Sequence, residues 1–464
     1  MNLTLEILKR IEEKPFTFIP ERLSLNLPTY NGNFPFHPQQ KQAIELCLSN
    51  SPLVTIAGIS GSGKSSIVPI ITNIALQNQK SVLIVSNSSF KPYQNLSLMP
   101  LSITGENQTE YRQLFKTWLR ENLTNPNLNF MPNYLQFDRL FEKVVKNSEK
   151  WLNILDKNDI NLLAKVVNQE FPQESKTRQL LLVKKIQQSR QLLTRKESLK
   201  QTYQNLSDTA LEELTTMAIN SLKIPVICQE KYLPFLENQT FDLVIADDSH
   251  NLEKETIKTL TKYSQKLIFL GNLFPRKDNE FYQLFNSLSV AYRIEMKQNY
   301  RLNSQLALKI LPFLYPEKSY HQFNQWNQNI FRGEKSPLIW HDVVNNDQLW
   351  SILQDKLLNF NHNYQIVTFS QNTRHILQQQ LTNLEINTSI KLTQECQGEE
   401  WENLLIICDK TDSYQISHQD LHLVLTKAKN QIIILGDKTH YEKSVFANLF
   451  HNNAFYVIRD LTLI

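Results

Sequence analysis

The stretch LVTIAGISGSGKS at residues 53–65 decides the fold of this chain. Its apolar first half has the composition of a buried strand, and a helical pattern follows it. In this context the spacing G-x-x-x-x-G-K-S at 58–65 predicts a phosphate-binding loop, because the glycines let backbone N–H groups point at phosphates and the next helix adds partial positive charge. We therefore predict an ATP site formed by Gly58, Gly61, Ser62, Gly63, Lys64, Ser65 and Ser66.

Two residues of this loop and two acids further along the chain are expected to act on the phosphates. Lys64 would reach the β- and γ-phosphates, and the Ser65 hydroxyl would ligate Mg²⁺. The apolar segment FDLVIADD at 241–248 ends in consecutive acids, which point to opposite faces of a strand and can take different roles. Asp247 is predicted to hold Mg²⁺ through water, and Asp248 to lie nearer the γ-phosphate. The alternative is an acidic, solvated strand end, which is common in α/β proteins.

Short apolar runs elsewhere indicate further parallel strands, at 82–86, 243–246, 267–270, 366–369, 404–408 and 432–435. Between about 93 and 222 such runs are missing, and apolar residues recur at helical spacing, as at Tyr111, Leu114, Phe115, Trp118 and Leu119. The sequence therefore predicts an α/β fold with two lobes built on parallel sheets and a helical insertion in the first lobe.

The domain boundaries follow from this alternation. We assign 36–92 and 223–297 to the first, ATP-binding lobe, 93–222 to the helical insertion and 298–464 to the second lobe. Residues 1–35 are expected to form an N-terminal leader segment without an assigned role.

The bulk composition is that of a globular protein with a mildly basic balance. Of 464 residues, 41% are hydrophobic, and the net charge of +4 is compatible with a polyanionic partner without establishing one. The four cysteines form no pair or cluster with zinc spacing, which favours a reducing compartment. No signal-peptide pattern and no membrane-spanning run is evident, so we expect a cytoplasmic protein without a membrane partner.

Six segments stand in a recognisable order around these motifs: FHPQQKQA (36–43), ADDSHNL (246–252), GNLFP (271–275), MKQNYR (296–301), QGEEW (397–401) and LVLTKAKNQIIILGD (423–437). In this order they resemble the adenine-reading glutamine motif and the D-E-A-Q-D-L, G-D-x-x-Q, L-x-x-N-Y-R, Q-G-x-E and V-A-x-T-R-A-K segments of superfamily 1 nucleic-acid helicases. Two stretches, YQIVTFSQNTRHI (364–376) and FRGEKSPLIWHDV (331–343), lean towards the branch that contains the RNA helicase of nonsense-mediated decay and its DNA-processing relatives.

The resemblance implies two RecA-like P-loop lobes, and it implies roles for four more residues. Gln40 falls at the adenine-reading glutamine and Glu400 at the nucleotide-binding glutamate, while Arg301 and Lys427 would reach the γ-phosphate from the second lobe. The implied activity is that of an ATP-dependent helicase or translocase on single-stranded DNA or RNA. A P-loop kinase is disfavoured by the full series of motifs and by the second lobe.

Several residues depart from the family pattern. Asp248 stands where the family has Glu, which withdraws the carboxylate by about 1.5 Å. Asn272 and Pro275 replace the Asp and Gln of G-D-x-x-Q, Lys427 replaces an Arg, and His250 replaces the Gln of D-E-A-Q. We expect ATP binding to survive and hydrolysis to be slow. The alternative function is a catalytically impaired ATP-binding switch that holds nucleic acid or a protein partner without unwinding.

Two further sets of residues are candidate nucleic-acid contacts. Residues 176–200 carry eight basic residues around an apolar face, which fits either an arm that contacts phosphates or a solvated helix. At strand ends, polar and aromatic residues resemble the family's strand-contacting motifs, although each is as well explained by capping or by core packing: Ser86, Asn87, Thr368, Phe369, Thr393 and Trp401.

Overall fold

A computed structural model describes most of the chain. The described residues are 7, 38–87, 93, 96, 98–103, 110–122, 144, 147–188, 190, 193–194, 207–219, 222–264, 266–273, 279–316, 336–343, 345–358, 364–383, 388–410 and 414–459. The predicted leader (1–35, apart from Ile7), Pro275 and residues 331–335 lie outside them. The chain divides into two compact units, one of residues 1–78, 83–95 and 239–464 and the other of 79–82 and 96–238.

The strands in chain order are β1 Leu53–Gly58, β2 Val82–Val85, β3 Leu101–Ile103, β4 Pro225–Cys228, β5 Leu243–Ala246, β6 Leu267–Gly271, β7 Arg293–Met296, β8 Leu338–Asp342, β9 Tyr364–Thr368, β10 Ile390–Leu392, β11 Trp401–Ile407, β12 Ala428–Gly436 and β13 Tyr456–Arg459. All the strands expected from apolar runs are present, with ends shifted by a few residues.

The α-helices in chain order are α1 Pro38–Leu48, α2 Lys64–Gln77, α3 Tyr111–Asn122, α4 Ser148–Leu155, α5 Ile160–Glu170, α6 Lys176–Gln188, α7 Asp208–Ala218, α8 Lys254–Leu260, α9 Glu280–Ser287, α10 Ser304–Leu314, α11 Asn346–Leu358, α12 Gln371–Asn383, α13 His418–Leu425, α14 Lys438–Tyr441 and α15 Ala447–His451. None of the helices in the described ranges is long and apolar enough to cross a membrane.

The first compact unit contains two parallel sheets. One sheet, in the first lobe, runs in the order β2-β5-β6-β1-β7, and the other, in the second lobe, runs β10-β9-β11-β12-β8-β13. Strand β1 lies between β6 and β7, with Ile56 opposite Leu270 on one side and Ile294 on the other. All six residues of β1 are buried, as expected for a central strand of a covered parallel sheet. The predicted α/β class with two parallel-sheet lobes is confirmed.

Ile59 of the phosphate-binding loop packs into the core of the second lobe. Its side chain is buried in one hydrophobic cluster with Leu302, Leu306 and Tyr315, which also includes Trp340 of β8. A loop that follows the central strand of one lobe is therefore anchored in the other lobe by apolar burial.

The second compact unit is mainly helical. Trp151, Val167 and Ile186 belong to a core cluster of its own, built from the helices α4, α5 and α6. The expectation of no strand between 93 and 222 is wrong at β3, which pairs in parallel with β4. β3 has three residues with a central Ser102 that is not fully buried, so it has no apolar run that sequence reasoning would detect. The domain boundaries drawn from sequence stay predictions.

Candidate functional site

The glycines of the phosphate-binding loop (residues 58–65) are required by backbone geometry. Gly61 and Gly63 have φ values of 77° and 81°, a region that side chains strongly disfavour. A Cβ atom at Gly61 would lie 2.7 Å from Nδ2 of Asn299, and one at Gly63 would lie 2.3 Å from Nε2 of Gln40. The loop is thus packed tightly against two segments that the sequence connected with nucleotide binding.

Lys64 begins α2, and its ammonium group lies inside the loop. Nζ donates to the carbonyl oxygens of Gly58 and Ile59, at 2.8 and 3.0 Å. The side chain is 9% exposed, and burial lowers its pKa to about 8. Ser62 is fully buried as well, and its hydroxyl makes no hydrogen bond to any described residue. A buried cation and an unsatisfied hydroxyl are features that a bound anion would complete.

The two predicted acids follow β5. Asp247 is buried, and its carboxylate accepts hydrogen bonds from Ser65, from the Tyr93 hydroxyl at 2.9 Å and from the Asp248 N–H at 3.0 Å. Burial, followed by repulsion from Asp248, raises the pKa of Asp247 to about 6. Asp248 has the left-handed φ of 55°. The sequence thus identified the acids but missed Tyr93, which carries no motif.

The predicted cationic residues of the second lobe lie together. Arg301 donates from Nε to Glu400 at 3.0 Å and from Nη1 to the Thr426 carbonyl at 3.2 Å. Glu400 also binds Lys429, at 2.9 Å. Lys427 is buried, and its pKa is lowered to about 8 by that burial and by the charge of Arg301.

Residues 299–301 connect the two lobes at the loop. The Asn299 side chain donates to the Ser60 carbonyl at 2.6 Å, and the Tyr300 N–H donates to the Gly61 carbonyl at 2.8 Å. The Asn299 side chain also accepts from the Arg301 N–H at 3.0 Å, which fixes the backbone that presents the arginine.

A cavity of about 460 Å³ brings most of the predicted site together. It is lined by loop residues from Ser60 to Ser66, by Asp248, His250, Asn251 and Asn272, and by second-lobe residues that include Arg301, Gln397, Glu400, His422 and Lys427. Gln40, Gly58 and Asp247 are not among its lining residues, although each contacts the loop or its neighbours. One cavity therefore holds anion-binding groups from both lobes.

Sequence reasoning missed a buried hydrogen-bond cluster at this cavity. The Tyr315 hydroxyl lies 3.0 Å from the Ser60 N–H, 3.2 Å from Nδ2 of Asn272 and 2.6 Å from Nε2 of His422. His250 accepts from the Asn272 N–H at 3.3 Å, and burial lowers its pKa to about 4. Ser60 belongs to the loop motif, and Asn272 and His250 stood in motifs as departures from the family pattern, whereas Tyr315 and His422 carried no signal.

The candidate strand-contacting residues favour the structural interpretation. Ser86, Thr368 and Thr393 are buried, and Thr393 donates to the Thr368 carbonyl at 3.3 Å. Phe369 is buried in the second-lobe core, and Trp401 packs against that core while remaining partly exposed. Phe369 is therefore not available to stack on a base.

The lowered pKa of Lys427 leads to a prediction on pH. For the ATP site predicted from the sequence, nucleotide affinity should fall as pH rises through about 8, because the deprotonated amine loses its attraction for phosphate. Lys64 has a similar pKa. Because two amines then lose their protons together, the affinity for a non-hydrolysable ATP analogue should approach a hundredfold loss for each pH unit above about 8. In Lys427→Arg, whose guanidinium stays charged, the loss should be about tenfold per unit. Equal slopes for the two proteins, measured by fluorescence titration from pH 7 to 10, would contradict this prediction.

Residues 341–436, most of the second lobe, match the family model of the viral superfamily 1 RNA helicase core domain. This match confirms the predicted resemblance to superfamily 1 helicases, and the particular branch suggested by the sequence stays a prediction. No curated protein sequence matches the chain.

Solved structures similar to this chain include viral helicases. One is an arterivirus nonstructural protein 10 helicase in complex with DNA, with 9% identity and a TM-score of 0.38 over 88% of this chain and 65% of that chain. Another is an arterivirus nonstructural protein 10 helicase alone, with 9% identity and a TM-score of 0.35 over 88% of this chain and 63% of that chain. A third is the PRRSV helicase (10%, 0.34, 84% and 53%). The TM-scores are too low for these similarities to carry weight for function. This chain spans less than two thirds of the length of each.

Proposed function

We propose that this protein binds ATP with Mg²⁺ and couples its hydrolysis to movement along single-stranded DNA or RNA. The observation that carries the proposal is the shared cavity, in which the phosphate-binding loop and Asp248 of the first lobe face Arg301 and Lys427 of the second. Cations from both lobes around one phosphate site are what a nucleotide-driven closure of two lobes requires.

The residues present fit a magnesium ion held together with phosphates. Ser65 and Asp247 place a hydroxyl and a carboxylate within hydrogen-bonding distance of each other, and oxygen atoms are the ligands that Mg²⁺ prefers. No group of three His, Cys, Asp or Glu side chains suited to a metal occurs in the described part of the chain, so phosphate oxygens would complete the site. Mg²⁺, when bound, would neutralise negative charge on the phosphates.

The protein groups have distinct roles in this proposal. The Lys64 ammonium would exchange the carbonyls of Gly58 and Ile59 for the β- and γ-phosphates. Asp248 would orient the attacking water and accept its proton. Arg301, together with Lys427, would stabilise the charge that develops on the γ-phosphate, as arginine fingers do. Gln40 would read the adenine, and Glu400 would hold Arg301 in place.

Nucleic acid as the partner is supported by the superfamily 1 match and by one face of the helical unit. Helix α6 buries Leu182, Val183 and Ile186 and leaves Lys176 and Lys184 exposed. Two other basic residues there are ion-paired, Arg178 with Glu174 and Arg190 with Asp156. The exposed lysines are the groups that would contact phosphates, while Arg195, Lys196 and Lys200 lie outside the described residues.

A prediction follows for this helix. Lys176→Gln combined with Lys184→Gln should reduce the slope of log affinity against log salt by about 1.4, because each contact with a single strand contributes about 0.7. The matched control is Lys157→Gln with Lys165→Gln, the same charge change at exposed sites of the same unit. If the two double variants give the same slope in oligonucleotide titrations, α6 is a solvated helix and not a contact surface.

The function is tested by steady-state ATP hydrolysis with and without single-stranded DNA and RNA. We expect slow turnover that one polymer stimulates and that Lys64→Ala abolishes. That polymer is then the substrate, and strand displacement on a matching duplex with a single-stranded tail measures the movement itself. Turnover equal to buffer in every condition, with ATP binding retained, would rule out the motor.

A second candidate is an ATP-binding switch that closes on nucleotide without hydrolysing it. Asp248 and Lys427 favour it. Asp248 is a shorter acid than the glutamate of the resembling family, and the ammonium of Lys427 replaces an arginine guanidinium that can bind at two points. The switch predicts that ATP changes nucleic-acid affinity while the rate of hydrolysis stays at background.

A further inference from the structure

The Tyr315 hydroxyl lies in a buried cluster with the Ser60 N–H, the Ser60 hydroxyl, the Asn272 amide and His422 as hydrogen-bond partners. A hydroxyl has one proton to donate and two lone pairs that accept. The Ser60 N–H and the Asn272 amide nitrogen can only donate, so they occupy the two lone pairs, at 3.0 and 3.2 Å. The shortest of these three contacts is the one to Nε2 of His422, at 2.6 Å, and the hydroxyl proton is assigned to it.

This arrangement requires a neutral His422, because Nε2 can accept only without a proton. Burial, with additional repulsion from His250, Lys427 and Lys64, lowers the pKa of His422 to about 3. The cluster of Tyr315, His422 and Asn272, called here the Tyr315 relay, is therefore uncharged near neutral pH although it lines a cavity built from cations and acids.

Asn272 is chemically matched to the relay. An aspartate at this position, as in the resembling helicases, would present acceptor oxygens to the Tyr315 oxygen and to Nε2 of His422, so both of those atoms would have to donate and the pattern of hydrogen bonds would reverse. The amide instead offers two hydrogens, one toward each, with the His422 nitrogen at 3.4 Å. The departure at 272 is thus compensated by two residues of the second lobe.

The relay acts on the phosphate-binding loop at Ser60. The backbone N–H of Ser60 is held by Tyr315, and its carbonyl is held by Asn299 at 2.6 Å. The preceding Ile59 is buried in the second-lobe core. Ser60 is therefore fixed from the second lobe on both sides, and any change at Tyr315 is transmitted to the loop.

We propose that the Tyr315 relay senses the terminal phosphate of the nucleotide, with Asn272 as the contact and with Tyr315 and His422 as positioning residues. This inference rests on the proposed ATP site. Asn272 and His422 both line the cavity, whereas Tyr315 is fully buried behind them. A γ-phosphate oxygen competes for the Asn272 amide hydrogens, and the release of Tyr315 from that bond alters its hold on Ser60.

The test compares the affinity for a fluorescent non-hydrolysable ATP analogue with the affinity for fluorescent ADP. We expect the wild-type protein to prefer the ATP analogue. Tyr315→Phe and His422→Leu should each reduce that preference about tenfold while ADP affinity changes less than about threefold, because ADP lacks the phosphate that Asn272 would contact. His422→Gln, which keeps an acceptor, should retain most of the preference.

The matched control is Tyr364→Phe, which deletes another buried hydroxyl of the second lobe, the one bonded to Gln431 at 2.8 Å. It should lower the unfolding temperature and leave the preference unchanged. Any of three results would overturn the relay. The preference for the ATP analogue could stay within twofold of wild type in Tyr315→Phe, it could fall equally in Tyr364→Phe, or the wild-type protein could show no preference. Failure of the proposed motor gives a different result. If hydrolysis stays at background while the wild-type protein prefers the ATP analogue and Tyr315→Phe loses that preference, only the proposed movement is overturned. If neither nucleotide binds, both the motor and the relay are overturned.

Discussion

Replacing Arg301 by alanine should lower the single-turnover rate of ATP hydrolysis about a thousandfold, with ADP affinity changed less than about threefold. The arginine is presented to the cavity by two fixed contacts, with Glu400 and with the Thr426 carbonyl. Because arginine fingers contribute about 10³ to 10⁵ in rate by stabilising charge on the γ-phosphate, the loss should appear in the chemical step. Rapid-quench measurement of one turnover separates that step from product release.

Arg374→Ala is the control for this prediction. Arg374 also lies in the second lobe and pairs with a glutamate, Glu395, at 2.9 Å, with a similarly covered side chain. It is not among the residues that line the cavity. A single-turnover rate within twofold of wild type is expected for it. If Arg301→Ala behaves in the same way, Arg301 serves only to pair with Glu400 and takes no part in hydrolysis.

The conformation of the loop at residues 58–65 was predictable from sequence because it is set by local residues. Gly61 and Gly63 adopt φ values that favour glycine, and Lys64 and Ser65 follow at the spacing that one turn requires. The strand before the loop is a run of buried apolar residues, which is equally visible in the sequence. The acids after β5 were found for the same reason.

The relay was not predictable, because its members are distant in sequence. Tyr315 stands 255 residues from Ser60 and 107 from His422, and it lies beyond the end of α10 without any motif. Arg301 is nearly as remote from the loop and was identified only through the resemblance to a family. The short strands at the sheet edges were missed for a different reason, since β10 and β13 are too short or too polar to form an apolar run.

Asp248 has a backbone reason for being shorter than the family's glutamate. Its φ of 55° lies in the left-handed region, which asparagine and aspartate tolerate better than other non-glycine residues. Its N–H donates to Asp247 at 3.0 Å, so the turn also positions the buried acid. The same substitution that withdraws the carboxylate therefore stabilises the turn that holds Asp247, the side chain proposed to bind Mg²⁺.

Two substitutions at this position should separate the effect of carboxylate position on the rate from the effect of the left-handed backbone on stability. Asp248→Asn keeps the tolerated conformation and removes the charge, so hydrolysis should fall by about 10² to 10⁴ if the carboxylate accepts a proton from water. Asp248→Glu extends the carboxylate by about 1.5 Å and should raise the rate tenfold or more, since about 1 Å of misplacement can cost a hundredfold. It should also lower stability by about 1 kcal/mol, because glutamate fits the left-handed conformation poorly.

Single-turnover rates and thermal unfolding of the three proteins decide between these effects. A slower Asp248→Glu with unchanged unfolding temperature would mean that the aspartate is already at the correct distance and that the loop is built around the shorter side chain. An Asp248→Asn protein within threefold of wild type would remove Asp248 from the reaction. In that case the cavity would bind nucleotide through Lys64 and the second-lobe cations without a base, which is the chemistry of a switch and not of a motor.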